Sequence, residues 1–384
     1  MMKKLSLNLA VLAFGLTFAL LAAELMVRIG APQLTYRFPR GLFTNDDAVA
    51  YRLTPGFEGR LKTPEYRTDV HVNAQGLRDD AVPEVKRDDE FRVLMLGDSF
   101  VMGVGVEAEE TFVERLEDVI DERIADRDVE IINAGVAGYS THQAVEFLLA
   151  YGAELQPDLI VLGFFVGNDL AENASDPLGV RDGYLSDDKN HGGVLPYSLR
   201  RFVSLNSQLY HLLWPLQRRI RGYGGEAQDG ARGIAEIFLT DDDAATPRWA
   251  PTAHALKRFV AAARGLDVPT AVILIPDHTQ VDPFYWNALI GQAGAEQSAY
   301  ADDAPNRRLL ELLQTEGVPT LDLLPAFKAQ PDPAGLYLPL DKHWTVPGHV
   351  VATEASVSFV ERLVLDPSRV ASAPAADDNG NRNR

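Results

Sequence analysis

The chain has 384 residues, 46% of them hydrophobic, enough apolar material for one large globular core. Acidic residues outnumber basic ones by 55 to 36, and the formal charge of -19 repels nucleic-acid phosphate, which excludes nucleic acid as a partner. The chain has no cysteine, which excludes a disulfide framework, a thiolate metal site, a cysteine nucleophile and a lipidated N-terminal cysteine.

Residues 5–23 are apolar apart from Ser6, Asn8 and Thr17; Lys3 and Lys4 precede them, and Glu24 and Arg28 follow. The run is close to the roughly 20 residues a membrane-spanning helix needs, and the paired lysines predict a cytoplasmic N-terminus with the rest of the chain exported. The other reading is a signal peptide, but cleavage after Ala22 or Ala23 would put Leu20 or Leu21 where a small residue is preferred. The expectation is an anchor over 1–28 in the cytoplasmic membrane with a periplasmic or extracellular body, or a secreted body after cleavage. Residues 29–90 are rich in Pro, Gly, Arg and Asp and read as a lead-in segment, with one alternating strand at 68–73 and a turn at Gly76.

From 91 onward the texture changes. Compact apolar runs at 91–96, 129–132, 159–165, 270–275 and 318–321 predict strands, and helical patterns lie at 110–125, 142–155, 253–264, 306–316 and 350–363. This alternation predicts an α/β three-layer sandwich over 91–365, a central parallel sheet flanked by helices, with functional groups at the C-terminal strand ends. Residues 171–251 are too long for an ordinary connection and read as an insertion shaping the substrate site. Within it, 200–221 combines leucines, Tyr210 and Trp214 with arginines at both ends, and reads as a helix docked on the domain ahead of one facing a membrane or contacting a polymer. Residues 366–384 read as a disordered tail.

Four features carry chemistry. Gly97-Asp98-Ser99 follows the first strand, where a sharp turn exposes a hydroxyl and aims backbone N–H groups beside it. Asp341 and His343 lie two apart near the C-terminus; a serine nucleophile needs a histidine base, and the base needs a carboxylate to fix its tautomer. Gly135 and Asn168 sit at the ends of the second and third strands, where a backbone N–H and a side-chain amide can join the Ser99 N–H as an oxyanion hole. Each feature alone also describes an ordinary turn. The other histidines, His71, His142, His191, His211, His254 and His278, show no metal-ligand spacing, and His349 at the start of the last helix reads as a packing or capping residue.

Taken in order, these blocks resemble the SGNH/GDSL hydrolase superfamily over roughly 91–363. The resemblance implies an SGNH/flavodoxin-like fold, Ser99 as nucleophile, His343 as base, Asp341 as acid, and Ser99, Gly135 and Asn168 around the oxyanion. It implies no cofactor and no metal. Many members place the acid three residues before the base, where this chain has Leu340. The run from Gly97 to Val106 and the Asn-x-x-Gly-x-Arg segment from Asn73 to Arg78 resemble bacterial anchored members. The Asp-x-His-Trp form also resembles exopolysaccharide O-acetyltransferases such as the alginate acetylation proteins, but there the Asp-His pair precedes the serine. The expected function is hydrolysis of an acyl ester on a small molecule or carbohydrate, including O-acetylated envelope or exported polysaccharide. The alternatives are an O-acyltransferase using the same acyl-enzyme and a non-catalytic envelope-binding protein. A nucleotide-binding protein is disfavoured because the first strand lacks the Gly-x-Gly-x-x-Gly spacing after it.

Overall fold

The computed structural model describes residues 2–35, 37–167, 169–175, 177–186, 197–218, 233–294 and 296–367. Asn168, Arg219, Arg221 and the expected tail from 368 onward lie outside the described residues. A helix over Met2–Gly30 opens the chain, with Leu7, Leu12, Phe14, Leu16 and Phe18 among the side chains turned outward. Its segment Ser6–Gly30 is long and apolar enough to cross a membrane, as both an anchor and a signal sequence would be.

The lead-in segment holds more structure than its composition suggests. Strands β1 (Phe43–Asp46) and β2 (Ala50–Leu53) form one antiparallel hairpin, and β3 (Glu58–Lys62) and β4 (Arg67–His71) form another. Neither hairpin makes a separate core. Leu42, Phe43, Tyr51 and Leu53 belong to the same buried cluster as Leu94, Ile132 and Leu162 of the main sheet.

That sheet contains β5 (Glu90–Gly97), β6 (Asp128–Gly135), β7 (Leu159–Phe165), β10 (Thr270–Ile275) and β11 (Thr320–Asp322); a small hairpin, β8 (Gly179–Arg181) with β9 (Tyr184–Ser186), lies between β7 and β10 in the chain. All its pairings are parallel and its order is β11-β10-β7-β5-β6. The chain thus leaves β5 in one direction to β6 and in the other to β7, and the reversal opens a crevice at the C-terminal end of β5, where ligands bind in such sheets. Because side chains alternate along a strand, Leu94, Leu96, Ile160 and Leu162 enter one core while Val93, Met95, Leu159 and Val161 enter the other. The helices Phe112–Arg123 and Val346–Leu365 cover the second face; the helix Thr141–Tyr151, part of Asp242–Gly265 and the lead-in hairpins cover the first.

The insertion also differs from its expected form. The helix Asp242–Gly265 begins inside the stretch read as insertion. The expected single docked helix is two, Tyr197–Asn206 and Gln208–Arg218, and the second lies against the N-terminal helix.

Candidate active site

Ser99 is the first residue of a short helix, Ser99–Met102, that starts directly off β5. Asp98 caps it, its Oδ1 accepting the Phe100 N–H at 2.9 Å, which is the structural role expected of an aspartate at a helix start. The helix ends at Gly103 in the left-handed region, and its carbonyls are gathered by a buried cation. Arg78 donates to the carbonyls of Met102 (2.8 Å), Gly103 (2.6 Å) and Val106 (2.7 Å). Burial pushes its pKa down to about 10, which leaves it charged at neutral pH. The Asn73–Arg78 segment is therefore a turn that delivers this arginine: Asn73 Oδ1 accepts from Gln75 and Leu77 N–H, and Arg78 leaves the turn toward the Ser99–Met102 helix.

The loop bearing His343 is fixed by a large aromatic neighbour. Trp344 is fully buried between Phe100, Phe112 and Phe327, with ring centroids at 5.0, 5.8 and 5.0 Å. Tyr337 bridges Trp344 in antiparallel fashion, and Leu338 N–H donates to the His343 carbonyl at 2.8 Å, so the loop folds back on itself. Lys342 stands in the left-handed region with φ 68°, which lets Asp341 and His343 project together; its Nζ donates to Tyr285 Oη at 2.6 Å.

The three groups converge. His343 Nε2 lies 2.7 Å from Ser99 Oγ, and His343 Nδ1 lies 2.5 Å from Asp341 Oδ1. The spacing of two instead of three is therefore compatible with an Asp–His pair, and Leu340 takes no part in it. An ionised carboxylate only accepts, so Nδ1 carries the ring proton, leaving bare Nε2 to accept the Ser99 hydroxyl. Burial alone would raise the Asp341 pKa, but the bond from His343, the Arg37 charge and the Tyr66 hydroxyl hold it below the usual carboxylate range. Burial lowers the His343 pKa below the ordinary imidazole value; the Asp341 bond opposes this and Arg37 adds to it.

Sequence reading passed over the residues that hold the acid, and all of them come from the lead-in segment. Tyr66 Oη donates to Asp341 Oδ2 at 2.6 Å, Arg37 Nη1 lies 3.1 Å from Oδ1, and Glu65 accepts the N–H groups of Leu340 (2.7 Å) and Asp341 (2.8 Å). Burial and the Asp341 charge raise the Tyr66 pKa, so the phenol stays a donor. No motif marks them, since Glu65 and Tyr66 lie some 275 residues from the loop they contact and Arg37 farther still. A Tyr66→Phe substitution is expected to lower kcat about tenfold at unchanged KM, the order of one hydrogen bond to a charged group, as read by steady-state kinetics on a short ester.

The oxyanion assignments fare differently. Ser99 N–H, at the first helical position, has no intrahelical acceptor. The N–H of Gly135 is engaged by Asn133 Oδ1 at 3.1 Å, while Asn133 Nδ2 donates to the Val101 carbonyl at 3.0 Å. A Cβ at Gly135 would stand 2.2 Å from Met102 N, so this glycine lets the Ser99–Met102 helix lie on β6, while its N–H is taken by Asn133. Gly138, three residues on, has φ 80° and an N–H with no acceptor among the described residues. The two glycines of Asn133-Ala-Gly-Val-Ala-Gly are alike in sequence, and only the backbone separates them. His349, as expected, is a capping residue: its Nδ1 accepts the Phe112 N–H at 3.1 Å, and burial takes its pKa down to about 3.

A parallel sheet flanked by helices, whose first strand carries a serine onto a buried histidine–aspartate pair, defines the class of α/β protein to which the chain belongs. The chain belongs to the GDSL-like Lipase/Acylhydrolase family, whose model matches residues 95–351. Among solved structures it is similar to TesA, with 14% identity, a TM-score of 0.40 and coverage of 71% of this chain and 99% of the other. It is also similar to the psychrotrophic esterase EstA from Pseudoalteromonas sp., with 13% identity, a TM-score of 0.36 and coverage of 71% and 98%. A two-domain esterase active on acetylated mannans shares 10% identity, with a TM-score of 0.39 and coverage of 74% and 52%. No curated protein matches the chain.

Proposed function

We propose that the protein is a serine-dependent carboxylic ester hydrolase, held on the cytoplasmic membrane by its N-terminal helix with its catalytic body outside, and acting on acyl esters of envelope or exported carbohydrate. The observation that carries this reading is the continuous line from Ser99 Oγ through His343 to Asp341, at 2.7 and 2.5 Å. His343 Nε2 takes the Ser99 proton as Oγ attacks the ester carbonyl, and Asp341 steadies the imidazolium that results. In this reading the Ser99 N–H and, in place of Gly135, the Gly138 N–H stabilise the negative carbonyl oxygen, and the resemblance supplies Asn168, outside the described residues, as the third donor. Collapse expels the alcohol, which takes the proton from His343, and leaves an acyl-serine. Water then attacks the acyl-serine, with His343 again the base, and releases the acid. The substrate class follows from the exported, membrane-held position.

The test uses the full chain in detergent with a fluorophosphonate probe and p-nitrophenyl acetate. One label per chain on Ser99, with release of p-nitrophenol, is the expected result. A folded chain that neither labels nor turns over the ester would sink the proposal.

A further inference from the structure

We infer that the inserted helices Tyr197–Asn206 and Gln208–Arg218 lie in the interfacial zone of the bilayer that the N-terminal helix enters, contacting the acyl and headgroup region of its outer leaflet. The inference rests on the anchor reading above and extends it to a second contact. At about 1.5 Å per residue, the stretch 6–23 is roughly 27 Å long, close to the roughly 30 Å of a bilayer's hydrocarbon core, so Glu24 stands at its edge. Glu24 is also where the insertion is fastened. Its carboxylate accepts from Ser207 Oγ (2.7 Å), Gln208 N–H (2.9 Å) and Leu209 N–H (3.0 Å), capping the second helix, and from Arg28 Nε (2.8 Å). Arg28 reaches on to the Asn206 carbonyl, and Gln33 N–H donates to Gln208 Oε1 at 3.2 Å. The corner between the inserted helices is thereby pinned at the depth of the membrane edge.

What the inserted helices expose suits that depth. Phe202 is 64% exposed and Leu213 47%, with Leu199 and Leu212 also open to the outside, beside the exposed Leu25, Met26 and Ile29 of the anchor. Apolar side chains at an amphipathic helix surface gain free energy by entering the acyl boundary. Above them a cavity of about 800 Å³ opens between the anchor's end, the inserted helices and the β3–β4 hairpin. It is lined by Arg28, Lys62 and Arg67, with Glu65 the acidic member; Lys62 and Arg67 face each other across the strand pair. Cations gathered there, in a chain of net charge -19, complement lipid phosphates.

The absence of cysteine makes the test direct. Single nitroxide labels at Phe202→Cys, Leu213→Cys, Leu12→Cys and Val85→Cys in the full chain, reconstituted into phosphatidylcholine/phosphatidylglycerol vesicles, report oxygen against nickel-chelate accessibility. The expected result is an oxygen-to-nickel ratio at 202 and 213 several-fold above that at 85 and approaching that at 12. Ratios at 202 and 213 equal to that at 85, with 12 lipid-protected, would overturn the inference and leave the anchor standing. Protection of 202 and 213 from both reagents would mean a protein cover and overturn it too. A label at 12 as open to the chelate as one at 85 would remove the anchor and this inference together.

Discussion

Replacing Ser99 by alanine is expected to lower kcat for p-nitrophenyl acetate by about 10⁴- to 10⁶-fold while leaving the fold intact. The large effect follows from the geometry: the only heavy atom lost is the Oγ that sits 2.7 Å from His343 Nε2, and neither Asp98 nor Thr111 is placed in that line. Ser99 is buried, but its methylene remains, so thermal stability changes by no more than the order of 1 kcal/mol. The residual rate is that of a site which still offers oxyanion donors and loses only its nucleophile. Steady-state kinetics beside a thermal melt separates the two quantities. A variant retaining a tenth of the wild-type rate would move the nucleophile elsewhere.

What the sequence revealed, and what it hid, divide along contact range. The runs at 159–165 and 270–275 coincide with β7 and β10, because a strand buried on both faces is written as an unbroken apolar run. Ser99, Asp341 and His343 were legible because they sit in short segments at element ends, and the structure brings all three together. The lead-in segment was the least legible. Its strands are four or five residues long and alternate weakly, so only β4 stood out, and the work of Arg37, Glu65 and Tyr66 appears only once the β3–β4 hairpin is laid beside the 341–343 loop. Gly135 shows the same limit at short range. Motif position marked it as an oxyanion donor, whereas the side chain of Asn133, two residues away, takes its N–H. A hydrogen bond of that kind leaves no trace in residue type or spacing. The insertion was legible as one helix, but its break at Ser207 and its docking partner, the end of the N-terminal helix 178 residues earlier at the Arg28–Asn206 contact, were not.

Asp341→Asn is expected to cost on the order of 10- to 100-fold in kcat/KM, the worth of a hydrogen bond to a charged group, and to move the acidic limb of the pH profile downward. Three donors fix how an amide would sit. Arg37 and His343 Nδ1 both address Oδ1, while Tyr66 addresses Oδ2. Arg37 has no acceptor to offer, but the Tyr66 hydroxyl can turn and accept, so the Asn oxygen is held toward His343 and the NH₂ toward Tyr66. The ring tautomer then survives and what is lost is the carboxylate charge. Catalysis needs neutral His343, so activity falls as pH drops through its pKa. In the wild type that pKa already lies below the ordinary value of about 6.5, because burial and Arg37 outweigh the Asp341 bond. Removing the carboxylate leaves Arg37 unopposed beside the ring, disfavours the imidazolium further and lowers the pKa again. The variant is therefore slower at every pH yet keeps its own maximal rate to more acidic conditions than the wild type. A kcat/KM profile from pH 4 to 9 on both proteins reads this directly. An acidic limb that rises or stays in place, with the rate little changed, would mean that Asp341 does not govern the base, and that Arg37, Glu65 and Tyr66 stabilise a loop instead of the acid in it.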